Sequence, residues 1–98
     1  MPKIVQIKLS LLKYYEPLRG DTHTNKYTRA IADDIKKNGV KKPLIVRPVG
    51  DMYEVVCGLA RWKGALIANL PTVPAEVRQL TDKEAAKLAF MDNQQQKK

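Results

Sequence analysis

Apolar and polar positions along the chain repeat with two periods, and their order predicts strands and helices in close succession. The opening segment Lys3-Ile4-Val5-Gln6-Ile7-Lys8-Leu9 alternates polar with β-branched or aliphatic residues, the period of a half-buried strand. From Leu12 to Asn25 the pattern dissolves into Pro17, Gly20, Asp21 and several threonines, which is loop chemistry in a loop long for a small domain. Asn25 to Asn38 carries apolar residues at Tyr27, Ala30, Ile31 and Ile35, then a lysine pair and Asn38-Gly39. This is an amphipathic helix with a left-handed glycine stop. Leu44-Ile45-Val46-Arg47, the turn Val49-Gly50-Asp51 and the run Met52 to Cys57 predict a β-hairpin. A helical pattern from Leu59 to Asn69 and a strand from Thr72 to Leu80, with Val73, Ala75 and Val77 in alternation, follow. Thr81-Asp82-Lys83-Glu84 has the spacing of a capping box and opens a last helix. The order predicts an α+β domain over residues 1–93, a small mixed sheet of about four strands with three helices, and a polar tail at 94–98.

With 98 residues, 44% of them hydrophobic, the chain closes one small core. No apolar run approaches the roughly 20 residues of a membrane span, and Met1-Pro2-Lys3-Ile4 lacks the long apolar segment of a secretory signal. A cytoplasmic protein without a membrane partner is expected. The single Cys57 forms no internal disulfide, and with His23 far away in sequence no zinc module is expected. Eighteen Lys and Arg against ten Asp and Glu leave a formal charge of +8, with doublets at Lys36-Lys37, Lys41-Lys42 and Lys97-Lys98. Such an excess attracts polyanions, so nucleic acid or a nucleotide phosphate is the default partner class; a solvated, lysine-rich surface is the bland reading. Lys36, Lys37, Lys41 and Lys42 flank one helix end and are the candidate DNA contacts.

The most pointed feature is the junction Tyr53-Glu54-Val55-Val56-Cys57-Gly58-Leu59-Ala60-Arg61-Trp62, where a strand pattern stops at a glycine and a helical one begins. Glycine lets the backbone turn and a ligand approach, the first helical N–H groups lack intrahelical partners, and the positive end of the helix dipole meets them. Arg61, one turn in, adds a forked cation; a plain strand-to-helix turn is the competing reading. On a helical wheel Leu59, Trp62, Leu66 and Leu70 share one side and Arg61, Gly64 and Ala68 the other. Trp62 continues the leucine stripe and reads as core. The small residues permit close approach by a ligand or another backbone. In the last helix Ala85, Leu88 and Ala89 form an inward column whose next member is Asp92, and Ala86 and Phe90 lead likewise to Asn93. A carboxylate and an amide there are candidate Mg²⁺ ligands, since a hard cation takes oxygen; an ordinary helix end facing water is the alternative.

These residues in this order resemble the N-terminal domain of ParB-type partition proteins, of the ParB/sulfiredoxin fold. The loop element is similar to Glu16-Pro17-Leu18-Arg19, the Pro-led strand to Lys42-Pro43-Leu44-Ile45-Val46-Arg47-Pro48, and the arginine-rich signature to Gly58 through Ala65. The later strand resembles Thr72-Val73-Pro74-Ala75-Glu76-Val77, and the closing element Met91-Asp92-Asn93-Gln94-Gln95-Gln96. The resemblance implies a nucleotide seat, CTP with Mg²⁺, at Gly58, Leu59, Ala60 and Arg61 with Arg19 added from the loop, and a metal site at Asp92 and Asn93. The chain departs from the signature at Leu59 (glutamate), Ala60 and Lys63 (arginines) and Gln96 (the closing arginine). Each lost guanidinium removes a planar, bidentate phosphate contact that lysine does not restore. In the sulfiredoxin branch the catalytic cysteine and histidine positions are Leu59 and Ala60, which implies that this activity is absent; Cys57 reads as a buried small hydrophobe.

The leading reading is a nucleotide- and DNA-associated binding module acting in plasmid or chromosome partition, or in related DNA regulation. Its expected partners are DNA and a nucleotide, with a partition ATPase and a second copy of the chain as further candidates. Without a helix-turn-helix in the sequence, DNA binding is expected to be weak and non-specific. The alternative is a small nucleotide-dependent phosphotransferase or nuclease on the same scaffold, for which His23 is the one side chain titrating near neutrality.

Overall fold

The computed structural model describes residues 3–15 and 26–96, with the backbone alone at 14, 26–28 and 92–96. Alternating residues build β1 (Ile4–Lys8), and a 3₁₀ turn at Leu9–Leu11 leads to a short β2 (Leu12–Tyr14). Helix α1 (Lys26–Asn38) is followed by β3 (Leu44–Val49), β4 (Met52–Cys57), α2 (Leu59–Ile67), β5 (Thr72–Val77) and α3 (Asp82–Gln96). Among the described residues the strands form one mixed five-stranded sheet in the order β1-β5-β3-β4-β2. Pairings are antiparallel for β1 with β5 and β3 with β4, and parallel for β3 with β5 and β2 with β4.

Turn chemistry closes α1 and the hairpin where the sequence places them, whereas β5 ends at Val77, short of the expected Leu80. Gly39 sits at φ +74 after α1 and donates its N–H to Ile35 O at 2.7 Å; Gly50 at φ +61 makes the hairpin turn. Helix α2 stops two residues before its expected end. Asn69 takes the left-handed conformation at φ 62, its N–H bonds to Leu66 O at 3.1 Å, and that of Leu70 reaches Ala65 O at 3.0 Å. This pair of bonds is a Schellman closure, with asparagine where glycine is commonest. The capping box opens α3 as its spacing predicts: Thr81 N–H donates to Glu84 Oε1 at 2.9 Å and Glu84 N–H to Thr81 Oγ1 at 3.2 Å.

The core lies between sheet and helices, with Leu44, Val46, Val55, Val56, Val73 and Leu59 essentially without solvent contact. Each such side chain contributes about 1.5–3 kcal/mol of burial free energy. Trp62 and Cys57 are buried there, as read from the sequence.

Three expectations change. Leu12–Tyr14, read as the start of a loop, is a strand, because three residues carry no visible period and β4 supplies the pairing partners. Leu66 leaves the core, 47% exposed, while Ala60, Lys63 and Gly64 enter it, because α2 is covered by α1 as well as by the sheet. Ala86 and Phe90 do not form an inward column: Phe90 is 62% exposed, and α3 turns Ala85 and Ala89 inward instead.

Candidate functional site

The site is built where β4 hands over to α2. Gly58 is the N-cap of α2 at φ 92, ψ 28, a left-handed conformation that glycine adopts without penalty. Space demands glycine as well: a Cβ there would lie 2.6 Å from Leu44 Cδ2 and 2.9 Å from Arg61 Nη2. The guanidinium of Arg61 therefore folds back over the glycine. The side chains of Leu59 and Ala60 point into the core, 1% and 2% exposed, so these residues face a ligand only through backbone N–H groups. Lys63, at a position where the signature carries arginine, is 8% exposed and equally interior.

Arg61 is the exception on this turn. It is partly exposed, and its Nε is buried without a hydrogen-bond partner among the described residues. A buried donor left unpaired costs about 1–3 kcal/mol and marks a position where a partner is expected.

Two clefts meet at this arginine. The larger, of about 400 Å³, runs along α1 and the segment after it; Ile31, Ile35 and Val40 form its apolar wall, and Asp34, Lys41, Lys42 and Arg61 bring charge to it. The smaller, of about 190 Å³, lies toward α3 and is walled by Lys42, Arg61, Cys57, Leu88 and Met91. Arg61 and Lys42 belong to both, so a cationic ridge separates them. Cys57 donates weakly from Sγ to Leu88 O at 3.6 Å, tying β4 to α3 beneath the smaller cleft.

The structure divides the candidate lysines. Lys41 and Lys42 line the clefts, whereas Lys36 and Lys37 are exposed in the last turn of α1, where cations complement the helix dipole. The small-residue stripe of α2 serves helix packing: a Cβ on Gly64 would stand 3.0 Å from Ile31 Cγ2 and 3.1 Å from Ile35 Cδ1. This contact brings α1 close enough to wall the larger cleft. Arg19 and His23 fall outside the described residues. Asp92 and Asn93 lie within α3, Asp92 one turn after Leu88, but their side chains are outside the described residues. Among the described residues no cluster of three or more His, Cys, Asp or Glu side chains is arranged to hold a metal ion.

Sequence reasoning missed Asp34, Leu88 and Met91. The sequence assigns Asp34 no role and places Leu88 only in the inward column of α3 and Met91 only in the closing element, so none of the three stands out as a cleft residue.

Apart from the clefts, Arg47 joins the sheet to α3. It donates to Glu54 Oε1 at 2.7 Å and Leu80 O at 3.3 Å, pairs with Asp82 at 2.9 Å, and lies 5.4 Å from the Tyr15 ring centroid. The Glu54 carboxylate first, opposed by burial and reinforced by Asp82, raises its pKa above the ordinary arginine value. The network fixes the start of the helix whose later turns wall the smaller cleft.

This mixed sheet with a glycine-capped helix behind its hairpin defines the ParB/sulfiredoxin class. Sulfiredoxin from Arabidopsis thaliana shares the fold at TM-score 0.71 and 24% identity, covering 91% of this chain and 98% of that one. Within the class the chain belongs to the ParB N-terminal domain family, whose model matches residues 1–94. It is 49% identical over 67 residues to the chromosome-partitioning protein Spo0J of Thermus thermophilus, covering 68% of this chain and 25% of the relative. It is 39% identical over 95 residues to a probable plasmid-partitioning protein ParB of the same species, covering 96% and 31%. The chain thus spans about a quarter to a third of the length of these curated relatives. A truncated ParB from Caulobacter crescentus complexed with CTP-gamma-S superposes at TM-score 0.86 and 27% identity, covering 95% of this chain and 53% of that one. The same protein complexed to the centromeric parS site superposes at TM-score 0.81 and 25% identity, covering 95% and 48%. No helix among the described residues is long and apolar enough to cross a membrane.

Proposed function

We propose that this domain is the nucleotide-binding module of a partition protein, seating the phosphates of a nucleoside triphosphate, CTP foremost, between Arg61 and Lys42. The observation that carries the reading is the buried, unpartnered Nε of Arg61 on the ridge between two clefts. Phosphate oxygens satisfy such a donor, the fork of the guanidinium matches their geometry, and Lys42 adds a point charge. The first N–H groups of α2 add a positive helix end, to which Gly58 brings no side-chain cap. The Caulobacter relative, solved with a CTP analogue, supports the choice of nucleotide.

Among the described residues the side chains lining the clefts are cationic or apolar except for Asp34, so Mg²⁺ at this site would rest on ligand phosphate oxygens, with Asp92 and Asn93 as the proposed protein ligands. DNA contact through Lys36, Lys37, Lys41 and Lys42, and association with a partition ATPase or a second copy, belong to the same proposal.

Calorimetric titration with CTP and ATP, with and without Mg²⁺, tests it. Wild type is expected to bind, and Arg61→Ala to lose at least about tenfold in affinity, the loss of a charged hydrogen bond. Equal binding by the variant removes the seat from Arg61. Binding without release of inorganic phosphate supports a module; turnover supports the phosphotransferase or nuclease alternative.

A further inference from the structure

We infer that the outer edge of β1 receives an extended acidic peptide segment as a sixth, antiparallel strand of the sheet, a protein contact separate from the phosphate seat. β1 ends the strand order of the five-stranded sheet, and no described strand lies beyond it. Its pairing shows which backbone groups face outward. Leu9 donates to Pro71 O at 3.2 Å, toward β5, and antiparallel bonding alternates along a strand. Val5 and Ile7 therefore bond inward to β5, and the N–H groups of Ile4, Gln6 and Lys8, with the carbonyls of Ile4 and Gln6, turn to the open edge. Pro74, opposite Gln6, agrees with this phase, since it has no N–H to offer. Ile4, Gln6 and Lys8 are also exposed.

Neither proline nor bulge guards this edge: β1 contains no proline, and its register with β5 is unbroken. Charge is the device it carries. Lys3, just before the strand, and Lys8, its last residue, are exposed and form no ion pair among the described residues. On a chain of net charge +8 they repel a second copy. The same charges attract an acidic strand, so one feature rejects one partner and selects the other. Side-chain alternation supplies the rest of the pattern. Val5 and Ile7 face the core, so residues opposite them are aliphatic or β-branched, and Ile4, 48% exposed, calls for an apolar neighbour on the open face. Gln6, which accepts from Thr72 Oγ1 at 3.1 Å, suits a polar one. From the position opposite Lys8 to the one opposite Lys3, the partner therefore reads acidic, apolar, polar, apolar, apolar, acidic.

The test is an NMR titration of the isotope-labelled 98-residue chain with the end-capped peptide Gly-Glu-Val-Thr-Val-Val-Glu-Gly. So short a pairing covers far less than the roughly 1,200 Å² of a standard interface, so binding is expected to be weak and the titration runs to about 5 mM peptide. Near saturation, amide exchange at Ile4, Gln6 and Lys8 is expected to slow about tenfold while Val5 and Ile7 stay unchanged, because only the first three gain a bond. Gln6→Pro removes the central outward donor, leaves the β5 ladder its bonds, and is expected to abolish binding. Lys3→Glu combined with Lys8→Glu is expected to weaken binding about tenfold and to confer binding of the peptide carrying lysine in place of both glutamates. These two lysines are exposed, so the charge-reversed chain is expected to keep the wild-type spectrum elsewhere. No binding, shifts confined to the cationic residues of the clefts, or equal binding by the charge-reversed chain overturns the inference. Protection of the same three amides without peptide, growing with protein concentration, also overturns it and gives the edge to a second copy. Arg61→Ala is expected to bind the peptide as wild type does, so this inference and the phosphate seat fail separately.

Discussion

At the scale of single residues, Gly58 and Arg61 depend on one another. The glycine holds a left-handed conformation and leaves the space in which Arg61 Nη2 and Leu44 Cδ2 rest. In Gly58→Ala the conformation alone costs about 1–3 kcal/mol, and the new methyl group displaces a leucine with no room to yield, since Leu44 is fully buried. Urea unfolding is expected to show a loss of at least that size. At a temperature where the variant is folded, nucleotide affinity is expected to fall as well, because the methyl group moves the guanidinium. The strand–glycine–helix pattern was enough to single out both residues. It put Leu59 on the core stripe but could not reveal that Ala60 is interior as well, because the helical period leaves open which adjacent stripe is buried when α1 covers a second one.

At the scale of elements, the capping box of α3 is local and was fully legible. Thr81→Ala is expected to cost about 1 kcal/mol, a fall in melting temperature of about 4–8 °C for a domain of this size. The reciprocal contact also depends on pH. The backbone N–H of Thr81 first, and its hydroxyl second, hold the Glu84 carboxyl below its ordinary pKa. A depressed pKa in the folded state stabilises above the unfolded value, and the contribution disappears as pH falls through the folded one. The stability difference between wild type and Glu84→Gln is therefore expected to shrink when urea unfolding is repeated on the acid side of the carboxylate range. A constant difference would remove the charge from the cap. β2 was illegible for the opposite reason: its hydrogen bonds come from β4, some forty residues further on.

At the scale of the whole molecule, the +8 charge is expected to govern the proposed association with DNA. Each neutralised phosphate releases condensed counterion, so affinity for unrelated duplexes, read by fluorescence anisotropy, is expected to be weak, similar among sequences and steeply reduced between about 50 and 200 mM salt. The structure refines the expectation for the lysines. Reversing Lys36 and Lys37 is expected to weaken DNA binding and leave CTP binding intact, whereas reversing Lys41 and Lys42 weakens both, because only the second pair lines the clefts. Strong discrimination among duplexes, or indifference to salt, would show that the domain contacts base edges rather than phosphates alone.

What the sequence determined by itself was whatever depends on neighbours along the chain. The helices and hairpin, the glycine stops, the cap of α3, the buried Trp62 and Cys57, and the ordered motifs that mark the family all lie within a few residues of their causes. The tertiary structure alone decided the rest. It placed Gly64 against Ile31 and Ile35, brought α1 to wall a cleft, and set Lys42 and Arg61 on a shared ridge from elements distant in sequence. A site made by packing has no period and no spacing, so its members become visible only when the elements that carry them are laid side by side.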